Sequence, residues 1–331
     1  MKAVADSLGM SISTVSRALN GKPGVAPATG EKVRAAAEAM GYLAAENTPG
    51  PRLTRVCLAV PWPDVWYYSA VIAGAEAALR RRGIEAVLRA MPTAEERRAF
   101  FTDPVALASV DGIVAVSFPL DERSTRTLSE LAVPTVSVSV RYPTIPSVTI
   151  DDNLAARQAV GQLLRSGHRR IAYIGTVDPA GVGWPADHDR AAGYAQALAA
   201  AELGPPAAEL VATAPWGVEG GAEAMAGLLS LDEPPTAVFC FSDEVAIGAL
   251  RTLRRAGVAV PAAMSVIAID GHPMAELTGL TTISQPVRRL GELAAEQVMA
   301  LLRGETIEHA VVLPTHLTAR HTIAAPAKVT P

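Results

Sequence analysis

Cysteine is nearly absent from this 331-residue chain, and its six histidines are scattered. The two cysteines, Cys57 and Cys240, each sit inside an apolar run, which excludes a disulfide framework and argues for buried thiols rather than metal ligands. Half of the residues are hydrophobic, yet no uninterrupted apolar run is long enough to span a membrane, and no signal-peptide pattern opens the sequence. A cytoplasmic protein is therefore expected. The chain also lacks a Gly-x-Ser-x-Gly elbow, a phosphate loop ending in Gly-Lys-Ser/Thr and a metal-spaced His/Cys cluster, so neither an enzyme nor a cofactor is expected. A general basic excess is missing too: 29 Lys and Arg face 33 Asp and Glu, for a net charge of −4.

That charge is unevenly spread. Residues 1–55 hold seven basic and four acidic side chains, so a small cationic end precedes an anionic body, the pattern of a protein that meets phosphate at one end only. Within this end, Val4, Ala5 and Leu8 form one short apolar face closed by Gly9. Ser11 is placed to cap a second helix whose Val15, Ala18 and Leu19 share a face. Its other side offers Ile12, Ser13, Thr14, Ser16 and Arg17, with Asn20 following. Arg can make two hydrogen bonds to a guanine edge, hydroxyls can meet phosphates and Ile can touch a thymine methyl. A breaker-rich loop, Asn20–Gly24, leads to a third apolar stripe of Val33, Ala36, Ala37 and Met40, ending at Gly41. Three helices suffice for a helix-turn-helix headpiece.

From Val56 onward, β-branched apolar runs alternate with alanine-rich helical stretches. The pattern predicts an α/β fold of parallel sheets flanked by helices, with strands over 56–60, 112–116, 133–138, 170–175, 237–241 and 266–269. Ligands on such sheets bind at the carboxyl ends of the strands. The first strand runs into Pro61–Tyr68, where Asp64, Trp66, Tyr67 and Tyr68 combine aromatic faces with a carboxylate, as a sugar ring requires. Core aromatics of the next helix are the competing reading.

The run Ser11–Gly21, with Glu31-Lys32-Val33 and Gly41-Tyr42, resembles the headpiece of LacI/GalR-type transcriptional regulators, and matches to the family's pattern continue through most of the chain. The resemblance implies a headpiece over 1–42, a linker over 43–55 and a two-lobed, periplasmic-binding-protein-like domain over 56–331. Its lobes are expected at 56–151 with 284–308 and at 152–283 with 309–324. Relative to the family pattern the first helix starts a few residues late. The linker also departs from the family, because Pro49, Gly50 and Pro51 interrupt it and Leu53, the one apolar candidate for a minor-groove wedge, follows two prolines.

Arg190, within Arg-x-x-Gly-Tyr, corresponds to an arginine that faces the effector. Its fork of donors suits two hydroxyls or a carboxylate, whereas an exposed arginine at a helix start would meet an unfavourable dipole. Ser242-Asp243 corresponds to an Asn/Ser-Asp pair, with Asp243 expected mainly as a helix cap and Ser242 as the ligand contact. Asp270 corresponds to an acid facing the effector, and Asp152 stands where the family usually has Asn. Trp216 completes the expected effector contacts. The function implied is that of a homodimeric repressor of palindromic operator DNA, controlled by a metabolite, a sugar or derivative, between the lobes. A cytosolic sugar sensor without operator specificity is the alternative.

Overall fold

The computed structural model describes residues 2–11, 14, 15, 18, 25–39, 54–130, 132–177 and 184–327. The chain divides into two compact units, Met1–Leu53 and Thr54–Pro331.

In the smaller unit, the helix Lys2–Leu8 ends at Gly9, whose φ of +62° lets the Met10 amide turn back to the Ala5 carbonyl at 2.9 Å. Ser11 then caps the next turn: its hydroxyl accepts from the Thr14 amide at 3.1 Å, and its carbonyl accepts from Thr14 and Val15. Thr14, Val15 and Ala18 are helical, and the third helix is Pro27–Ala39. Val4, Ala5, Val15, Ala18, Val33 and Ala37 are buried together, so the three apolar faces read from the sequence converge on one small core. Met40 and Leu19 lie outside the described residues, as does the linker up to Leu53.

The larger unit contains two six-stranded sheets. The first comprises β1 (Arg55–Val60), β2 (Glu85–Ala90), β3 (Gly112–Val116), β4 (Thr135–Val138), β5 (Ser147–Ile150) and β11 (Ala310–Leu313) in the order β11-β5-β4-β3-β1-β2. The second comprises β6 (Ile171–Val177), β7 (Val211–Pro215), β8 (Ala237–Cys240), β9 (Ser265–Asp270), β10 (Thr281–Ser284) and β12 (His316–Thr318) in the order β12-β10-β9-β8-β6-β7. All pairings are parallel except β10 with β12, and registers such as Val56 opposite Gly112 and Ile171 opposite Ala237 set strand against strand. Central strands β1, β3, β8 and β9 are buried on both faces, which is why their middles read as continuous apolar runs. In each sheet the chain adds one strand to one side of the first and the next to the other, so β1/β3 and β6/β8 are switch points where a crevice opens.

Helices cover both sheets through backbone-close contacts. Between the helices Trp66–Arg80 and Val287–Leu302, a Cβ at Gly74 would lie 2.0 Å from the Arg288 carbonyl oxygen, and one at Gly291 would lie 2.0 Å from that of Val71. The second lobe repeats the device with Gly221 and Gly248 between the helices Gly217–Leu229 and Asp243–Arg255.

The chain crosses between sheets after Ile150, near Ser284–Val287 and between Leu313 and His316. The last crossing corrects the expected second-lobe segment 309–324, because residues 310–313 pair with β5 in the first sheet. The apolar Ala-Val-Val-Leu run completes the first sheet's edge, and only after Pro314 does the strand 316–318 join β10. Cys57 and Cys240 are buried free thiols, and burial pushes the Cys57 thiol up to about 12.

Candidate functional site

The cleft is built where strands end. Ser117, Ser139 and Asp270, at the carboxyl ends of β3, β4 and β9, have φ of 58°, 69° and 148°, values that L side chains rarely adopt. All three line one cavity with Tyr67, Tyr68, Asp152, Arg190 and Phe241. Residues held in such conformations cost of order 1–3 kcal/mol each and cluster at ligand sites.

Arg190 is the electrostatic centre. It lies in the helix Pro185–Ala200, 4 % exposed. Its Nε donates to Asp152 Oδ1 at 2.8 Å, its Nη1 donates to the Phe241 carbonyl at 2.5 Å, and Asp270 Oδ1 stands 3.9 Å from Nη1. The guanidinium also lies over the Phe241 ring, 4.5 Å from its centroid. Burial disfavours the Arg190 cation, but Asp152 and then Asp270 more than offset it and raise its pKa. Burial likewise raises Asp152 despite the attraction of Arg190. It pushes Asp270 up to about 8, an effect opposed by Arg190 and reinforced by Asp243, while Gln285 Nε2 donates to Asp270 Oδ1 at 2.7 Å. One cation thus serves two buried carboxyls, and burial holds both above the ordinary carboxylate range.

Aromatic rings from the two lobes meet across this centre. Trp62 after β1 packs edge-on against Trp184 at 5.5 Å, Tyr68 lies 6.3 Å from Trp216, and Trp66 lies 4.7 Å from the His272 ring. Glu244 ties the lobes further, accepting from Trp216 Nε1 at 3.2 Å and from the main chain of Trp66, while burial raises its pKa. Tyr67 and Ser139 share a short hydroxyl–hydroxyl contact, and burial raises the pKa of both Tyr67 and Tyr68. The aromatic inner chamber holds about 40 Å³, room for a few water molecules. It adjoins a polar outer chamber of about 520 Å³ that includes Arg141, Thr149, His188 and Asp189; Ser139, Asp152 and Trp184 belong to both.

Comparisons with known proteins place this architecture. Residues 1–44 match the model for bacterial regulatory proteins of the lacI family, and residues 160–323 match a periplasmic binding protein-like domain. The regulator CelR of Thermobifida fusca is 33 % identical over 97 % of both chains. The chain belongs to the LacI family. Other LacI-type relatives include the repressor CytR of Escherichia coli K12, 30 % identical over 93 % of this chain and 91 % of that one, and catabolite control protein A of Priestia megaterium, 29 % identical over 95 % of both. Among solved structures, a CelR–cellobiose complex aligns with a TM-score of 0.71, 32 % identity and coverage of 96 % and 98 %. The lac repressor dimer bound to operator and an anti-inducer aligns with 0.74, 25 % identity and coverage of 97 % and 98 %. As a LacI-family member the chain is a DNA-binding transcription regulator, not an enzyme.

Of the expected effector contacts, Tyr67, Tyr68, Asp152, Arg190, Trp216 and Asp270 line the inner chamber. Asp64, Trp66, Ser242 and Asp243 do not. Trp66 instead bridges the lobes through His272 and Glu244. The cap role expected for Asp243 falls to Ser242, and neither residue lines the inner chamber. Ser242 caps the helix, accepting from the Val245 amide at 3.3 Å. Asp243 accepts from the Gly271 and His272 amides at 2.9 and 2.7 Å and from Thr282 Oγ1 at 2.6 Å, which pins the loop after β9. Arg190, expected to offer its fork outward, commits Nε and Nη1 to the protein. Ser117, Ser139, Trp184 and Gln285 were not among the expected contacts. Trp184, one of four tryptophans, standing before a proline that opens a helix, carried the only sequence signal among them. Of the expected DNA contacts, Ser11 and Thr14 form the cap of the second helix, whereas Ile12, Ser13, Ser16, Arg17 and Asn20 lie outside the described residues.

Proposed function

We propose that this regulator is a cytoplasmic homodimeric repressor whose affinity for a palindromic operator is set by an uncharged saccharide held between the lobes. The observation that carries the reading is the Asp152–Arg190–Asp270 centre walled by aromatic rings at the strand ends of both sheets. Aromatic faces stack on the C–H groups of a sugar ring while carboxyls accept from its hydroxyls. An anionic ligand is disfavoured, because Arg190, the only cation that lines the inner chamber among the described residues, already faces two carboxyls. The relatives agree in kind: CelR is known bound to cellobiose and the lac repressor as a dimer on its operator.

The inner chamber, closed to about 40 Å³, is too small for a pyranose ring, so ligand entry selects a wider cleft. Rings that now pair across the cleft, Trp62 with Trp184 and Tyr68 with Trp216, part to admit it. The ligand shifts operator affinity by the difference in its affinity for the two states. On the DNA side, one headpiece contacts few base edges, and two on a palindrome give a tight site. Arg17 is the base-reading side chain and Ser11, Ile12, Ser13, Thr14, Ser16 and Asn20 flank it.

A thermal-shift panel tests the cleft. A saccharide present at 100 times its Kd raises stability by about 2.7 kcal/mol, and sugar acids do not. A preference for sugar acids over neutral saccharides refutes the charge argument. For the DNA side, Arg17→Ala removes preference for a palindrome selected from random DNA; retained preference removes Arg17 from the reading surface.

A further inference from the structure

Trp184 occupies a position that its local surroundings do not explain. It is the N-cap of the helix Pro185–Ala200, with φ −81° and ψ 145°, its carbonyl accepting from the His188 amide at 3.1 Å. Helix N-caps favour Ser, Thr, Asp and Asn, whose side chains bond the first free amides, and Trp184 makes no such bond. Its indole N–H is buried, the residue being 4 % exposed, and has no hydrogen-bond partner among the described residues. Buried polar groups are nearly always paired, so this donor is left to bond a ligand once the cleft widens.

Trp216 provides the internal contrast. It too is an N-cap without a side-chain cap bond, opening the helix Gly217–Leu229 on the same lobe, but its indole N–H is satisfied by Glu244 at 3.2 Å. Two tryptophans therefore stand at matching strand-to-helix junctions, one bonded to the protein and one not. Trp184 borders both chambers, and Trp62 from the opposite lobe meets it edge-on at 5.5 Å and 73°. The ring thus stands at the junction of the two chambers.

We propose that the Trp184 indole N–H is a specificity-determining donor that bonds an oxygen of the saccharide at the junction of the two chambers. The inference rests on the saccharide reading above and adds one requirement. The ligand carries an acceptor oxygen at the junction as well as hydroxyl donors facing Asp152 and Asp270. A ring lacking that oxygen leaves the indole N–H unpaired and is rejected.

The full chain, as wild type, Trp184→Phe and Trp184→Ala, is titrated calorimetrically with cellobiose, lactose, maltose, glucose, ribose and cytidine. The best-binding saccharide is then repeated as its monodeoxy series. Trp184→Phe, which keeps a ring against Trp62 but removes the donor, weakens binding roughly tenfold, with a larger loss for Ala. The ligand-free melting temperature of Trp184→Phe does not fall by more than about 2 °C, since no protein hydrogen bond is lost. One monodeoxy analogue binds wild type about tenfold more weakly than the parent sugar but binds Trp184→Phe no more weakly. Saccharide binding by Trp184→Phe within twofold of wild type, or the same deoxy penalty in both proteins, overturns the role of Trp184 and leaves the saccharide reading intact. If wild type binds cytidine and none of the saccharides, or binds nothing in the panel, the saccharide reading fails and this inference falls with it.

Discussion

Replacing Arg190 with alanine leaves two buried carboxyls, Asp152 and Asp270, without their cation. In the native protein they stand 2.8 and 3.9 Å from the guanidinium, and all three side chains are at most 7 % exposed. Removing one partner of such a pair costs about 3–5 kcal/mol when the other stays charged. A carboxyl can instead take up a proton, and that escape costs about 1.4 kcal/mol for every pH unit above its unfolded value near 3.9. Both carboxyls are already raised in the folded state by burial, Asp270 to about 8. A raised carboxyl stabilises the fold fully below its unfolded pKa, and that contribution is lost as pH climbs through the folded value. The penalty of Arg190→Ala is therefore about 3–5 kcal/mol at pH 8, where Asp152 is forced either to stay charged or to take up a proton at high cost. At pH 5 it shrinks to about 1–2 kcal/mol, because protonation there costs little. For a unit of this size the melting temperature drops by roughly 6–10 °C at pH 8 and 2–4 °C at pH 5. Calorimetric unfolding of wild type and variant from pH 5 to 8 reads this directly. A penalty that does not change with pH, or one below about 1 kcal/mol at pH 8, refutes the reasoning.

Three further perturbations follow from the same geometry. Asp270→Asn keeps an oxygen for Gln285 Nε2 but cannot titrate, so the decline in stability between pH 5 and 8 becomes shallower than in wild type, as melting curves across that range show. Ser11→Ala removes the hydroxyl that accepts from the Thr14 amide and costs about 1 kcal/mol of local stability, read as a fivefold loss of hydrogen-exchange protection at Val15 and Ala18. Gly291→Ala places a Cβ where the Val71 carbonyl oxygen now stands 2.0 Å away, forcing two helices apart at a cost of at least about 2 kcal/mol, measured by denaturant unfolding.

The features legible in the sequence share a cause. Strands such as 56–60 and 237–240 are buried on both faces, so their residues are apolar without interruption and stand out in any window. The edge strands 85–90, 211–215 and 310–313 are half exposed, and in the first of them Glu85 and Arg89 interrupt the apolar run. Arg190, Asp152 and Asp270 were identifiable through the LacI-family pattern that the residues around them resemble, and in the fold they meet in one cluster. That Ser242 rather than Asp243 caps the helix was not identifiable, because it turns on the extended backbone at Ser242, which frees its hydroxyl to cap and sends the next carboxylate to the 270–272 loop. Trp184 stands between glycine and proline, which mark a loop but carry no sign of the orphaned N–H of its ring. The positive φ of Ser117 and Ser139, which turns these small residues into the cleft, has no signature in residue type.

The central claim is a free-energy coupling between a saccharide in the cleft and DNA at the headpiece. Its most direct test is fluorescence anisotropy of the full-length wild-type chain on its selected palindrome, at fixed moderate salt, without and then with the saccharide identified by thermal shift at saturation. The account predicts a change in operator Kd of roughly 5- to 150-fold, matched by the same factor when saccharide affinity is measured without and with operator. An operator Kd that stays the same at saturating saccharide contradicts it.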